Sequence, residues 1–324
     1  MTNITIKVSF FTVRRLRERI EYGEIITIAN KKDIRAAPAA DGGNPVFHAL
    51  VSIKQVPDTT NIRIDPETNN LIRQGVPTIL NPYDAHAVAA AVEWKRKLGG
   101  KVTIITMGPA SAVTSLRECI EMGADRAILI SDRKFAGADT WATSYVLSEV
   151  IKSIHAQDPI DLVFFGKQAI DGDTAQVGPG VAVRLDLPVI TYAVKIHAVD
   201  LENRKVVIER KTESRNEVIK ASLPAALTCE KEIAEIPYAS LPDLVYSLRY
   251  EPELWTTEGP ITFDPAQLGL KGSPTTVFKT GTPEKHKAGE IIKASELGVD
   301  GAVKTALDKI LAVEGMAALL GVSK

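Results

Sequence analysis

DLVFFGKQAIDGDTAQVGPGVAVRLDLPVITY, running from Asp161 to Tyr192, decides how the chain folds. Leu162 to Phe165 make an apolar run of the length of one buried parallel strand, which Gly166 ends. A polar turn follows, holding Gln168, Asp171, Gly172, Asp173, Thr174 and Gln176, and then a predicted helix from about Ala175 to Leu185. Pro188 to Ala193 supply a second apolar strand. A strand that empties into a glycine-bearing turn and a helix start is a place where open α/β sheets bind anions. Free N–H groups and the helix dipole both point at the ligand there. Thr174 is the expected N-cap, with Asp173 adding charge at the same end. The same residue types also serve merely to start a helix, and neither GxGxxG nor a Walker pattern is present. On turn chemistry alone, both readings stand.

Working outward, the strands recur with helices between them. Strand order starts at His48 with HALVSIKQ, broken by VPDT. NIRIDPETNNLIRQGVP reads as a small excursion. In NPYDAHAVAAAVEWKRKLGG, Asn81 is the expected N-cap with Pro82 at the first helical position, and Gly99-Gly100 stop the helix. KVTIITMG is a second buried strand ending in the turn GPASAVTS. A helix through Leu116, Ile120 and Met122 follows and closes at Gly123, Arg126 to Ile130 make a third strand, and Thr140 to Ile154 another helix. Such alternation predicts a Rossmann-like, doubly wound parallel sheet covered on both faces. Ligands bind such sheets at the carboxyl ends of the strands, near the reversal of strand order. VPDT, TMGPAS and GKQAIDGDT are therefore expected to meet at one edge.

Past Tyr192 the period changes. Apolar and charged residues alternate to Cys229 with a turn at Leu201–Arg204, the pattern of an antiparallel hairpin or meander. From Ser240 a short helix and an arm rich in Gly, Pro and Thr are expected, then an amphipathic helix over Ala302 to Leu311. With so little core of its own, residues 240–324 read as a partner-binding loop and arm, while 48–239 form the α/β domain. Residues 1–47 read as an accessory extension, with disorder one reading of it. They carry Arg14, Arg15, Arg17 and Arg19, a linker AAPAADGGNP, and a candidate edge strand at Ile25 to Ala29, and no signal-peptide pattern.

Composition narrows the function. Of 324 residues, 45% are hydrophobic and 24% charged, with a net charge of −1, which gives no footprint for nucleic acid. No apolar run reaches the roughly 18–20 residues of a membrane span. Cys119 and Cys229 lie too far apart in sequence for a CxxC pair, so no metal site is expected and a reducing, cytoplasmic compartment is. The histidines are scattered, and no acid–base dyad or nucleophile stands out, so no catalytic residue is assigned.

GKQAIDGDTAQVGP, ITMGPASAVTSLRECIEMGADRAILI, NPYD and EIPYASLPDL together resemble the β subunit of electron-transfer flavoproteins, from about His48 to the C-terminus. The resemblance implies an adenine-nucleotide-binding α/β fold and a heterodimer with an α subunit that carries its own FAD. It also implies binding positions on this chain: Ser52, Asn81, Pro82, Tyr83, Asp84, Met107 and Gly108. Further positions are Gly166, Lys167, Gln168, Ala169, Ile170, Asp171, Gly172, Asp173, Thr174, Ala175, Gln176 and Val177. Val56, Pro57 and Asp58 belong with them, the first two as an apolar wall beside an isoalloxazine. Gln168 and Asn81 are candidates for ribose or adenine hydrogen bonds, and one of Asp171 and Asp173 is expected to cap backbone amides. Tyr238, Leu241 and Pro242 are the implied partner contacts.

Two branches of that family differ in their ligand: one holds AMP, the other a second FAD. KQVPDTTNIRID, NPYD and DGDTAQVGP resemble the electron-bifurcating branch. There NADH reduces the second FAD, and electrons go to ferredoxin or flavodoxin and to a quinone- or acyl-CoA-linked partner such as a dehydrogenase or quinone oxidoreductase. The chain would then be part of an NADH-oxidising, flavin-dependent oxidoreductase. The alternatives are an ordinary β subunit with structural AMP, or a non-redox adenine-nucleotide-binding protein.

Overall fold

The computed structural model describes residues 26–28, 46–58, 77–276, 290–313 and 316. It divides into two units, Met1–Thr280 and Gly281–Lys324. In the first unit, β2 (Phe47–Ser52) is buried along its whole length, as a strand covered on both faces must be. The chain then runs through the β3–β4 ribbon (Gln55–Pro57, Thr78–Leu80), α1 (Pro82–Leu98), β5 (Gly100–Met107), α2 (Val113–Glu121) and β6 (Arg126–Ile130). Next come α3 (Thr140–Gln157), β7 (Leu162–Gly166) and α4 (Val177–Arg184). A meander follows, β8 (Val189–Asp200), β9 (Lys205–Lys211) and β10 (Asn216–Ser222), and the chain re-enters the parallel sheet at β11 (Ala225–Cys229). α5 (Leu241–Arg249) and β12 (Glu253–Trp255) end it, and an edge strand β1 (Ile26–Ile28) precedes it.

The main sheet has ten strands in the order β1-β10-β9-β8-β11-β7-β2-β5-β6-β12. From β2 the chain builds outward through β5 and β6, then crosses back to lay β7 on the other side of β2. Strand order therefore reverses between β2 and β7. Because side chains alternate along each strand, Ala49, Val51, Ile104 and Phe164 pack with α1 and α2, whereas Leu50, Ile105, Val163 and Phe165 pack with α3 and α4. The sheet is doubly wound, as its alternation of elements predicts. The meander is antiparallel, and β8 is one long strand with register shifts, where two separate segments were expected. β1 lies parallel on the outer edge of β10, within the predicted edge strand.

α1 stops at Gly99, whose φ of +72° is left-handed, and the second glycine has a steric cause. Gly100 has φ +144°, and a Cβ there would sit 2.0 Å from the Phe47 carbonyl oxygen. α3 is capped by Asp139, whose Oδ1 accepts from Trp141 N–H at 2.9 Å and Ala142 N–H at 3.0 Å. Its Oδ2 accepts from the N–H and hydroxyl of Thr275, which pins the C-terminal segment to the domain.

That segment is the main departure from expectation. The stretch just after α5 does not wait for a partner. β12 extends the sheet beside β6, Trp255, Phe263 and Leu268 are buried, and Phe263 meets Phe135 edge-on at 5.5 Å. Thr257 donates to Asp132 through both its N–H and its hydroxyl, which with the Lys134 amide holds that carboxyl down at about 2. Residues 253–268 of the stretch expected to be an arm thus pack on the sheet and its core. In the second unit, α6 (Ala294–Leu311) starts earlier than the expected Ala302 and bends at Gly298. It buries none of its residues, leaving Val299, Val303, Leu307 and Ile310 exposed. The excursion NIRIDPETNNLIRQGVP up to residue 76, the basic cluster before Ile26 and the linker before Val46 lie outside the described residues.

Candidate functional site

At the carboxyl ends of β2 and β7, one carboxylate joins the two strands. Asp84, in the first turn of α1, accepts from Lys54 N–H at 2.7 Å through Oδ2 and from Gly166 N–H at 3.0 Å through Oδ1. It is 5% exposed, and burial pushes its carboxyl up to about 7 against the pull of those same hydrogen bonds. Asn81, one turn earlier and 1% exposed, sends its amide to the Gln168 carbonyl at 2.9 Å and accepts from Ile170 N–H at 3.2 Å. The start of α1 is thus a template on which the turn after β7 is moulded.

The third turn arrives from β5. Gln55 donates to the Ser111 carbonyl and to Thr114, and Ser111 donates back to Gln55 at 2.9 Å. Thr106 donates to the carbonyl of Ile53 at 2.8 Å, just beyond Ser52. Gly108 N–H holds Ile130, with Met107 half-buried beside it. The three polar turns therefore meet at one edge of the sheet, as their placement after successive strands predicts.

Inside the turn, several expected roles change. α4 begins at Val177 with Gln176 as its cap residue and no side-chain cap, so Thr174 is not the N-cap. Instead Asp173 and Ala175 hold φ of 50° and 53°, a left-handed backbone unusual for these side chains. Neither Asp171 nor Asp173 caps backbone amides: Asp171 pairs with Lys54 at 2.7 Å, and Asp173 accepts from Gln168 at 2.8 Å. Ala169 closes the turn by accepting from Gly172 and Asp173 N–H.

Asn81 stands at the cap position of α1 but makes no cap bond, because its side chain is spent on the neighbouring turn. That same engagement takes it away from ribose or adenine. Val56 is fully buried in the core, which removes it from any wall facing a ligand, whereas Pro57 is exposed and Asp58 half-buried. Lys167 turns toward Glu230, at 3.0 Å, and lies over the rings of Tyr83 and Tyr192. Pro82 takes the first position of α1, and Gln176 accepts from Thr140 at 3.0 Å, tying the turn to α3.

Sequence reading missed Lys54, Gln55 and Glu230. Their only signal was position, directly after a buried strand. His48 sits at the amino end of β2, buried against Thr103 and the Pro159 carbonyl, and burial lowers its pKa. Among the described residues no His, Cys, Asp or Glu group could hold a metal. A shallow recess lined by Trp141, Lys271 and Ser273 shares no residue with the crevice.

A family model for the electron transfer flavoprotein domain matches residues 68–243, which includes α1, the turn after β7 and the start of α5. Protein FixA of Azotobacter vinelandii is 45% identical over 265 residues, 82% of this chain and 94% of that one. The chain belongs to the electron transfer flavoprotein family, as a β subunit. The electron transfer flavoprotein subunit beta of Thermoanaerobacterium thermosaccharolyticum is 46% identical over 245 residues, 76% of this chain and 92% of that one. Similar too is the caffeyl-CoA reductase-Etf complex subunit CarD of Acetobacterium woodii, 46% identical over 244 residues, 75% and 90% of the two chains.

Proposed function

We propose that the crevice between β2 and β7 holds FAD, and that this β subunit works with an α subunit in NADH-driven electron bifurcation. The observation behind the cofactor is the backbone at the end of the turn. Ala175 is left-handed, Gln176 is right-handed, and α4 then starts without a capping side chain. That alternation aims successive amides to one side and makes a concavity suited to phosphate, reinforced by the helix dipole. In this reading the amides near Ala175 to Val177 bind the phosphates, and Asn81 and Asp84 hold the turn to them. Pro57, Asp58, Met107 and Gly108 border the crevice. When bound, the flavin supplies the exchange of electrons singly or in pairs. The acceptors are ferredoxin or flavodoxin and a quinone- or acyl-CoA-linked enzyme. The two free, buried cysteines suit the cytoplasm, and no helix among the described residues is long and apolar enough to cross a membrane.

Cofactor released by denaturing the purified αβ complex tests this. Two FAD per complex are expected. One FAD and one AMP would place the chain in the ordinary branch, and adenine nucleotide without any flavin would leave a non-redox binder.

Two surfaces fit the partners. Tyr238 is fully exposed, Leu241 and Pro242 are exposed, and α5 adds Leu244, Val245, Tyr246 and Leu248 while burying only Ser247. Exposed apolar groups this concentrated mark a protein contact, and we assign it to the dehydrogenase or quinone-linked partner. The exposed apolar stripe of α6 we assign to the α subunit. Leu241→Asp should slow electron delivery to that partner about tenfold or more, the effect of losing a central apolar anchor. Flavin content and far-ultraviolet dichroism should not change. Unaltered delivery would remove α5 from the contact.

A further inference from the structure

Lys54 leaves the carboxyl end of β2 and reaches across to the turn after β7. There its ammonium meets both oxygens of Asp171, at 2.8 and 2.7 Å. The bridge crosses the point where strand order reverses, on the solvent side of the buried Asp84. Both ends are fixed through the backbone. Lys54 gives its N–H to Asp84 and its carbonyl accepts from Asn81 N–H, and the residue before Asp171 gives its N–H to the Asn81 side chain. The side chains themselves remain accessible, 49% and 28% exposed.

Of the lysines described beside the turn, Lys167 is held by Glu230 and by the rings of Tyr83 and Tyr192, and Lys231 lies over the Tyr83 ring. Among the described residues Lys54 is therefore a cation that an incoming anion meets at this turn. A solvent-exposed carboxylate–lysine pair is only weakly held, and a diphosphate, with its several charged oxygens, competes well for the same ammonium.

Resting on the nucleotide reading above, we propose that Lys54 exchanges Asp171 for the outer phosphate of a diphosphate. Lys54 thereby determines the preference of the site for a dinucleotide diphosphate over a nucleoside monophosphate. Asp171 holds the lysine across the crevice until the anion arrives, and its carboxylate turns to water when displaced.

The test is calorimetric titration of ADP and AMP into the αβ complex freed of crevice nucleotide, with the α subunit alone as background. Wild type should favour ADP. Lys54→Met should weaken ADP by about tenfold or more, the loss of one bond to a charged group, and leave AMP nearly unchanged. The double variant Lys54→Met/Asp171→Asn separates exchange from a static bridge. If the lysine takes the phosphate, ADP binding stays weak in the double variant. If the lysine merely neutralises Asp171, ADP binding returns to the wild-type value and the proposal is overturned. Equal wild-type affinity for ADP and AMP overturns the exchange alone, because nucleotide still binds. Binding of neither nucleotide overturns the nucleotide reading and the exchange together.

Discussion

Replacing Gly166 by alanine should empty the crevice and weaken the whole domain. A Cβ at this position would stand 2.2 Å from Asp84 Oδ1, 2.7 Å from the Tyr83 Cβ and 2.8 Å from the Asp84 nitrogen. Backbone is among those neighbours, so a rotamer change cannot relieve the clash. Overpacking of this kind costs about 1–3 kcal/mol. Pushing β7 from α1 also breaks the Gly166–Asp84 hydrogen bond, leaving buried polar groups unsatisfied at about another 1–3 kcal/mol. Against a typical total of about 5–15 kcal/mol, that is a large share. The expected result is a clearly lower denaturation midpoint and a complex purified without the cofactor proposed for the crevice. Gly172→Ala is the control, because a Cβ there meets nothing within 4 Å. Gly166→Ala with the cofactor and midpoint of Gly172→Ala would falsify the template role of α1.

The second large effect is pH-dependent and belongs to Asp84. Its carboxyl is raised from 3.8 to about 7, first by burial, so the folded chain binds this proton more tightly than the unfolded one. The sign follows directly. The stabilisation from the bound proton is complete below 3.8 and is lost as pH rises to about 7. Asp84→Asn cannot titrate and should lack this loss. The difference in stability, wild type minus variant, should therefore fall across that window, measured by urea denaturation at a series of pH values. Subtraction cancels carboxyls shifted the other way, Asp132 among them. The carboxylate accepts from both Lys54 and Gly166 at full strength, whereas a proton on one oxygen weakens it as an acceptor and adds a donor that must find another partner. Cofactor retention should accordingly improve with pH even as folding stability declines. A flat difference would mean that Asp84 keeps an ordinary carboxylate pKa inside the fold.

The fold was legible because its signals are local and repeated. Apolar runs such as Val102 to Ile105 and Leu162 to Phe165, each closed by glycine and followed by helix-period residues, leave few arrangements other than a doubly wound sheet. Meeting of the three turns follows from that topology alone. What stayed hidden depends on contacts distant in sequence. Asn81 looks like a helix cap because it precedes Pro82, but its partners Gln168 and Ile170 lie far along the chain. Thr174 has the right side chain for a cap, yet the left-handed Ala175 delays the helix until Val177. β12 was missed because its three residues carry no periodic pattern, and its pairing with β6 comes with Trp255 buried in the core and Arg126 clasping Glu253.

The moulding of one turn upon another helix limits what can be exchanged between relatives. Residues 166–170 owe their shape to Asn81 and Asp84, some eighty positions earlier in the chain. A graft of the turn after β7 alone from a relative would land on a foreign mould, with two buried polar side chains facing the wrong backbone. The transplantable module here is discontinuous, and both its pieces must travel together.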